Sequence, residues 1–294
     1  MARSPEALCI EVRLEAAAAA EWAAAEAWEA GALGVEERSS PSGDTLLLLY
    51  TAAETADAVR QAVAEVPGAL FGETRAVVET DWSQEWRKGL EAVRVGKRLV
   101  VRPSWIDVAL GRDQVEVVID PGQAFGTGGH VSTRLALEWI EAIACTGAFE
   151  PGHRALDVGA GTGVLALAAL KLGVGTALGF DLDPLSGEAC REWAERNGLG
   201  DRMTAFVGPI DAISEGEFDW VFANLLKREM LPIASEIAAA TRAGGHAVFS
   251  GLLASEREEV EARLAAAGFG ATRARAAVDP NGDEWISLLM RRGS

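Results

Sequence analysis

The sequence predicts an α/β chain in two parts: a small antiparallel α+β domain, then a larger, mostly parallel sheet covered by helices and ending in an antiparallel hairpin. Three observations carry this. Strand and helix patterns follow in the order β-α-β-β-α-β up to residue 80, the arrangement of a ferredoxin-like domain. After Arg154, short continuous apolar runs alternate with helical segments, as in a parallel sheet buried on both faces. Near the end, two strand-like runs flank Asp279-Pro280-Asn281-Gly282, a turn sequence.

Taken in order, Ala7 to Leu14 alternates as a strand does, and Ala16 to Ala30 reads as an alanine-rich helix stopped by Gly31. Val35 to Ser39 and Thr45 to Thr51 are strands around Pro41-Ser42-Gly43-Asp44. Thr55 to Val66 carries apolar residues at helical spacing and stops at Pro67-Gly68, and Arg75 to Thr80 is a short strand. These elements define a domain over 1–80. A linker over 81–92 follows, with Trp82 and Trp86 on one side of a helical turn, where packing is their expected role.

The second domain is expected over 93–294. Leu99 to Val101 and Gln114 to Ile119 read as a hairpin around Arg102-Pro103-Ser104-Trp105. A glycine-rich loop, Pro121 to His130, precedes a helix from Val131 to Ala144. The sheet runs are Ala155 to Val158, Ala177 to Phe180, Thr204 to Val207, Trp220 to Ala223 and Ala247 to Ser250. The closing hairpin joins Thr272 to Val278 with Trp285 to Met290.

Composition narrows the function. The net charge of −17 opposes a large nucleic-acid footprint, and it either favours a basic partner or simply keeps the protein soluble. No apolar run reaches the roughly 18 residues a membrane-spanning helix requires, and the start lacks a secretory pattern, so the expected compartment is the cytoplasm. Cys9, Cys145 and Cys190, like His130, His153 and His246, are scattered, so neither a disulfide framework nor a metal site is expected.

The chemistry centres on Leu156-Asp157-Val158-Gly159-Ala160-Gly161-Thr162-Gly163, a glycine turn leaving a strand and entering a helix. Glycines there let a ligand approach the main chain closely. Val164 stands where a dinucleotide fingerprint needs a small residue. The turn therefore suits a ligand that meets it with a carboxylate, an amine and a ribose rather than a pyrophosphate. Asp181, ending the next strand, is placed to bridge a ribose diol, while Asp183 before Pro184 fits a helix cap. Asn224 directly follows the strand Trp220 to Ala223 at the ligand-binding edge of the sheet, as a ligand contact, a helix cap or both.

These residues carry a family pattern. The chain resembles the ribosomal protein methyltransferase A (PrmA) family, which methylates ribosomal protein L11, from about Ala7 to Arg292. The resemblance rests on Ile119 to Gly128, Gly159 to Gly163, Asp181-Leu182-Asp183-Pro184, Ala223-Asn224-Leu225-Leu226, Ser250-Gly251-Leu252-Leu253 and Glu284-Trp285. It implies a class I methyltransferase fold of Rossmann-like type, with S-adenosylmethionine as cofactor and a small N-terminal domain that grips the protein substrate. Cofactor contacts would fall on Phe125, Thr133, Gly159, Gly161, Asp181 and Asn224, with Asn224 also orienting the acceptor amine. The expected activity is methyl transfer to lysine side-chain or N-terminal amines of a basic ribosomal protein, by a monomer with no dedicated base. The chain departs from the family around Gly129-His130-Val131, where a Thr usually precedes the His and a Pro follows it, which implies a less constrained loop.

Three other readings compete. A base or glutamine-amide methyltransferase would show Asn-Pro-Pro-aromatic, but Asn224 is followed by Leu225-Leu226-Lys227. A nicotinamide oxidoreductase conflicts with Val164. Methylation of another protein, or cofactor binding without catalysis, is the remaining alternative.

Overall fold

The computed structural model describes residues 7–14, 17–39, 45–77, 91–120, 129–213 and 216–294. The chain separates into two compact units, Met1–Leu90 and Glu91–Ser294.

In the first unit the elements are β1 (Ala7–Leu14), α1 (Ala17–Glu29), β2 (Ala32–Ser39), β3 (Thr45–Ala52), α2 (Ala56–Ala64) and β4 (Leu70–Val77). The sheet order β2-β3-β1-β4, antiparallel throughout, is the ferredoxin-like arrangement. Ile10, Val12, Leu14, Leu47 and Leu49 pack with Ala23 and Ala27 of α1 and Val59 and Val63 of α2. β4 starts earlier than the expected Arg75 to Thr80. Its side chains are mostly exposed, and as an edge strand paired only with β1 it carries no apolar alternation to read.

The second unit opens with β5 (Val93–Val95), β6 (Leu99–Arg102) and β7 (Val115–Val118). The expected hairpin around Arg102 to Trp105 is not formed: β6 and β7 run parallel, and the antiparallel partner of β6 is β5. The β5–β6 turn uses Gly96 at φ +56°, where a Cβ would lie 2.2 Å from the Glu141 carboxylate. Glu141 instead accepts the Lys97 and Arg98 N–H groups at 2.8 and 3.1 Å, which fixes the turn. The long 103–114 segment provides the return path that parallel pairing requires.

Next come α3 (Val131–Cys145), β8 (Arg154–Val158), α4 (Val164–Lys171), β9 (Thr176–Asp181), α5 (Pro184–Arg196), β10 (Met203–Val207) and β11 (Phe218–Asn224). The chain continues through α6 (Lys227–Met230), α7 (Ala234–Ala240), β12 (Thr241–Leu253), α8 (Arg257–Ala266), β13 (Phe269–Val278) and β14 (Glu284–Arg292). The seven-stranded sheet has the order β10-β9-β8-β11-β12-β14-β13. β14 alone runs opposite to the other strands of the sheet, and it sits between β12 and β13.

Alternating side chains split the core between the two faces of this sheet. Trp220, Phe222 and Val248 pack with α3, α4 and the small sheet. Val221, Ala223, Ala247 and Phe249 pack with α7 and α8. The chain builds β8, β9 and β10 outward in one direction, then crosses back to lay β11 on the other side of β8. That reversal leaves a crevice at the carboxyl ends of β8 and β11.

Candidate active site

A cavity of about 740 Å³ opens at this crevice. Its walls come from the strand ends Val158, Asp181 and Asn224, the turn residues Gly159 and Gly161, and Trp285 at the start of β14. Such a volume lies within the usual range for a small-molecule site.

The glycine turn is shaped by contacts that a side chain would block. Gly159 has φ +65°, and a Cβ there would lie 2.4 Å from a Leu225 methyl. Gly163 caps α4 with φ +79°, where a Cβ would meet Cys190 Sγ and Met203 Cε at 2.8 Å each. Gly161, at φ +53°, donates its N–H to Asp181 Oδ2 at 2.9 Å. The other Asp181 oxygen accepts the Asp183 N–H at 3.0 Å. Each carboxylate oxygen thus retains acceptor capacity for a hydroxyl on the cavity side. Asp183 caps α5 by accepting the Leu185 N–H at 3.0 Å, with Pro184 in the first turn.

Asn224 ends β11 and does not cap α6, whose cap position is Leu226. Its Nδ2 donates to Thr133 Oγ1 at 3.0 Å, which sets the amide orientation. Its Oδ1 is buried and, among the described residues, has no hydrogen-bond partner. A buried carbonyl oxygen left unpaired costs about 1–3 kcal/mol, so a donor brought into this wall would recover that energy. Thr133 is only 1% exposed and stands behind Asn224 rather than in the cavity wall. Ser250 Oγ donates to the Ser132 carbonyl at 2.7 Å, tying the start of α3 to the sheet.

Gly159, Gly161, Asp181 and Asn224 therefore meet around one cavity, with Thr133 reached through Asn224. Phe125 lies outside the described residues, as do the rest of the 121–128 loop and the tryptophans of the linker. At the departure in Gly129-His130-Val131, the His130 ring caps α3 by accepting the Ser132 N–H at 3.2 Å. The helix starts at Val131 without the proline.

Two residues drew no role from sequence. Trp285 walls the cavity because β14 begins where the parallel strands end, and its ring stands edge-on to His130 at 4.8 Å. Asp157, one residue before Val158, is 1% exposed, and burial pushes its carboxyl up to about 8 against the lowering effect of the Ala166 N–H bond. The only prior signal for Asp157 was an acid inside an apolar run.

A model of the family described as ribosomal protein L11 methyltransferase (PrmA) matches residues 10–293. The chain belongs to that family. This methyltransferase is 35% identical over 218 residues to the ribosomal protein L11 methyltransferase of Symbiobacterium thermophilum, covering 74% of this chain and 68% of the relative. It is 41% identical over 191 residues to that of Cupriavidus necator, covering 65% of this chain and 60% of the relative. Among solved structures it is similar to the ribosomal protein L11 methylase of Lactobacillus delbrueckii subsp. bulgaricus, at TM-score 0.61 and 29% identity. That match covers 70% of this chain and 100% of the other. The fold of this methyltransferase is accordingly the class I, Rossmann-like one, and the protein is an S-adenosylmethionine-dependent enzyme by its family.

Proposed function

We propose that the protein methylates amines of ribosomal protein L11, on lysine side chains, the N-terminus or both, with S-adenosylmethionine held at the glycine turn. The observation that carries this reading is Asn224 Oδ1, a buried acceptor with no partner among the described residues, set in the cavity wall beside Gly159. When bound, the cofactor supplies a methyl group made electrophilic by its sulfonium. Asp181 holds the ribose diol with the lone pairs its two backbone bonds leave over. Gly159 and Gly161 admit the amino-acid arm to the main chain.

Across the carboxyl edge of the sheet the order is Asp181 on β9, Gly159 after β8, Asn224 on β11 and Trp285 on β14. A cofactor spanning the first two leaves the Trp285 side for the acceptor. Asn224 lies between them, where its Oδ1 accepts an N–H of the incoming amine and aims the nitrogen lone pair at the methyl. A lysine must first lose a proton, which at pH 7 costs roughly 4.6 kcal/mol from a pKa of about 10.4. Desolvation in the cavity lowers that cost, and water takes the proton. The net charge of −17 suits a basic substrate. We also assign the first 80 residues to substrate recognition, residues 81–92 to a linker, and the protein to the cytoplasm as a monomer. Among the described residues no helix is long and apolar enough to cross a membrane.

The test is incubation with methyl-labelled cofactor and purified ribosomal protein L11, followed by mapping of the label. Label on lysine or N-terminal nitrogen is expected. Cofactor binding without transfer to any protein would refute the reading in favour of a binding module. Asn224→Ala is expected to lower turnover, and unchanged turnover together with unchanged cofactor affinity would remove Asn224 from the site.

A further inference from the structure

The acceptor side of the cavity is bounded by Trp285, and the side chain that holds its indole N–H, Asp279, is outside the cavity lining. Trp285 pairs across the sheet with Leu253, whereas Asn224 pairs with Ser250, three residues earlier on β12. β12 bulges between Phe249 and Leu252, so at about 3.3 Å per strand residue Trp285 stands roughly 7 Å beyond the level of Asn224, overhanging the sheet edge. The indole in that position is half-buried. Among the described residues, one polar and one aromatic contact hold it. Its Nε1–H donates to Asp279 Oδ2 at 3.1 Å, and its ring meets His130 edge-on at 4.8 Å with planes 84° apart.

Asp279 is itself locked by the turn between β13 and β14. Its Oδ1 accepts the Asn281 and Asp283 N–H groups at 2.9 and 3.0 Å. Its backbone N–H donates to the Asp283 carbonyl at 2.9 Å, and its carbonyl accepts the Gly282 N–H at 3.0 Å. One oxygen thus closes the turn and the other holds the indole. The Trp285 bond, with the turn N–H groups behind it, keeps this carboxyl below its ordinary range. His130 in turn caps α3, the helix whose Thr133 orients Asn224. The chain of contacts runs from the turn through Trp285 and His130 to the residues around the acceptor.

We propose that Asp279 is a positioning residue for methyl transfer, holding the Trp285 indole against His130 so that the acceptor wall of the cavity keeps its shape. The proposal rests on the function assigned above, since it takes the Trp285 side to be the acceptor side. Asp279 touches neither cofactor nor acceptor, and it acts through one side-chain bond.

Asp279→Asn isolates that bond. Asparagine has a single acceptor oxygen, which the two turn N–H groups occupy, so its amino group faces the indole N–H, donor against donor. The turn survives and the indole is released. In the full-length protein, Asp279→Asn is expected to raise KM for ribosomal protein L11 about tenfold, the size of one hydrogen bond to a charged group. The change in kcat should be smaller, and affinity for S-adenosylhomocysteine should stay within about twofold. Trp285→Phe removes the N–H, so adding Asp279→Asn to it should have no further effect. The indole N–H resonance absent from Trp285→Phe identifies Trp285 among the nine tryptophans, and it should shift in Asp279→Asn.

An unmoved resonance, an unchanged KM, or equal penalties in the two backgrounds would each overturn the role of Asp279 while transfer by the unaltered protein stands. If the unaltered protein binds cofactor but methylates no protein, the functional reading fails, and this proposal with it.

Discussion

Asp157→Asn tests whether the acid behind the glycine turn is neutral in the folded protein. Asp157 is wholly enclosed, accepts one N–H from Ala166 at 3.0 Å, and is raised from 3.8 to about 8, first by burial and then by the charge of Asp181. Between those two values the folded protein binds one proton more than the unfolded chain. Stability therefore falls as pH rises through this window, by about 1.4 kcal/mol per pH unit. The contribution is fully present below about pH 4 and lost above about pH 8. Asparagine has the same shape, can accept the Ala166 N–H, and does not titrate. The stability of Asp157→Asn relative to the unaltered protein should thus improve by roughly 3 kcal/mol between about pH 5.5 and 7.5. Urea unfolding of both proteins at the two pH values, read on the transition of the Glu91–Ser294 unit, measures that difference. A gap that stays constant within about 0.5 kcal/mol would mean that Asp157 does not change its protonation on folding, refuting the argument from burial.

Three further outcomes follow from the site. Gly159→Ala places a methyl 2.4 Å from Leu225 at φ +65°, and should weaken S-adenosylhomocysteine binding by at least about tenfold in calorimetry while the far-ultraviolet spectrum stays that of the parent. Equal affinity would show that the turn relaxes around the methyl. Thr133→Val removes the partner of Asn224 Nδ2 and should lower kcat about fivefold, with Thr133→Ser restoring most of it. Failure of serine to rescue would assign the loss to packing. For a lysine acceptor, kcat/KM should rise about tenfold per pH unit from pH 7 to pH 9, since the amine must lose a proton. A flat profile would indicate a base within the site.

Much of the larger sheet is legible because its strands are buried on both faces. Runs such as Trp220 to Ala223 have no polar alternation, as strands covered on both faces require. Asp183 before Pro184 was readable as a cap because capping is local, and the side chain accepts the Leu185 N–H. Where the burial signal weakens, the reading fails. β4 is exposed and Gly72 interrupts it, and the first half of β12 passes through Arg242-Ala243-Gly244-Gly245, which resembles a loop. The strands around Arg102 were identifiable, but their direction depends on where the 103–114 segment travels, which no local pattern encodes. In the site, Gly159, Gly161, Asp181 and Asn224 follow from their places at strand ends. The Thr133–Asn224 and His130–Trp285 pairs do not, because each joins residues far apart in sequence through the order of strands in the sheet.

Because β14 follows β12 and β13 in the chain yet lies between them, neither can complete its ladder until β14 arrives. During synthesis β13 then waits with no strand partner at all, and β12 offers an open edge to other chains. The β12–β14 pairing also spans the intervening α8 and β13, and such non-local pairing slows folding. The strand that brings Trp285 to the cavity is therefore also the one whose arrival closes both of these open edges. Growth temperature and chaperone supply should govern the yield of this protein more than the strength of any single contact in its finished core.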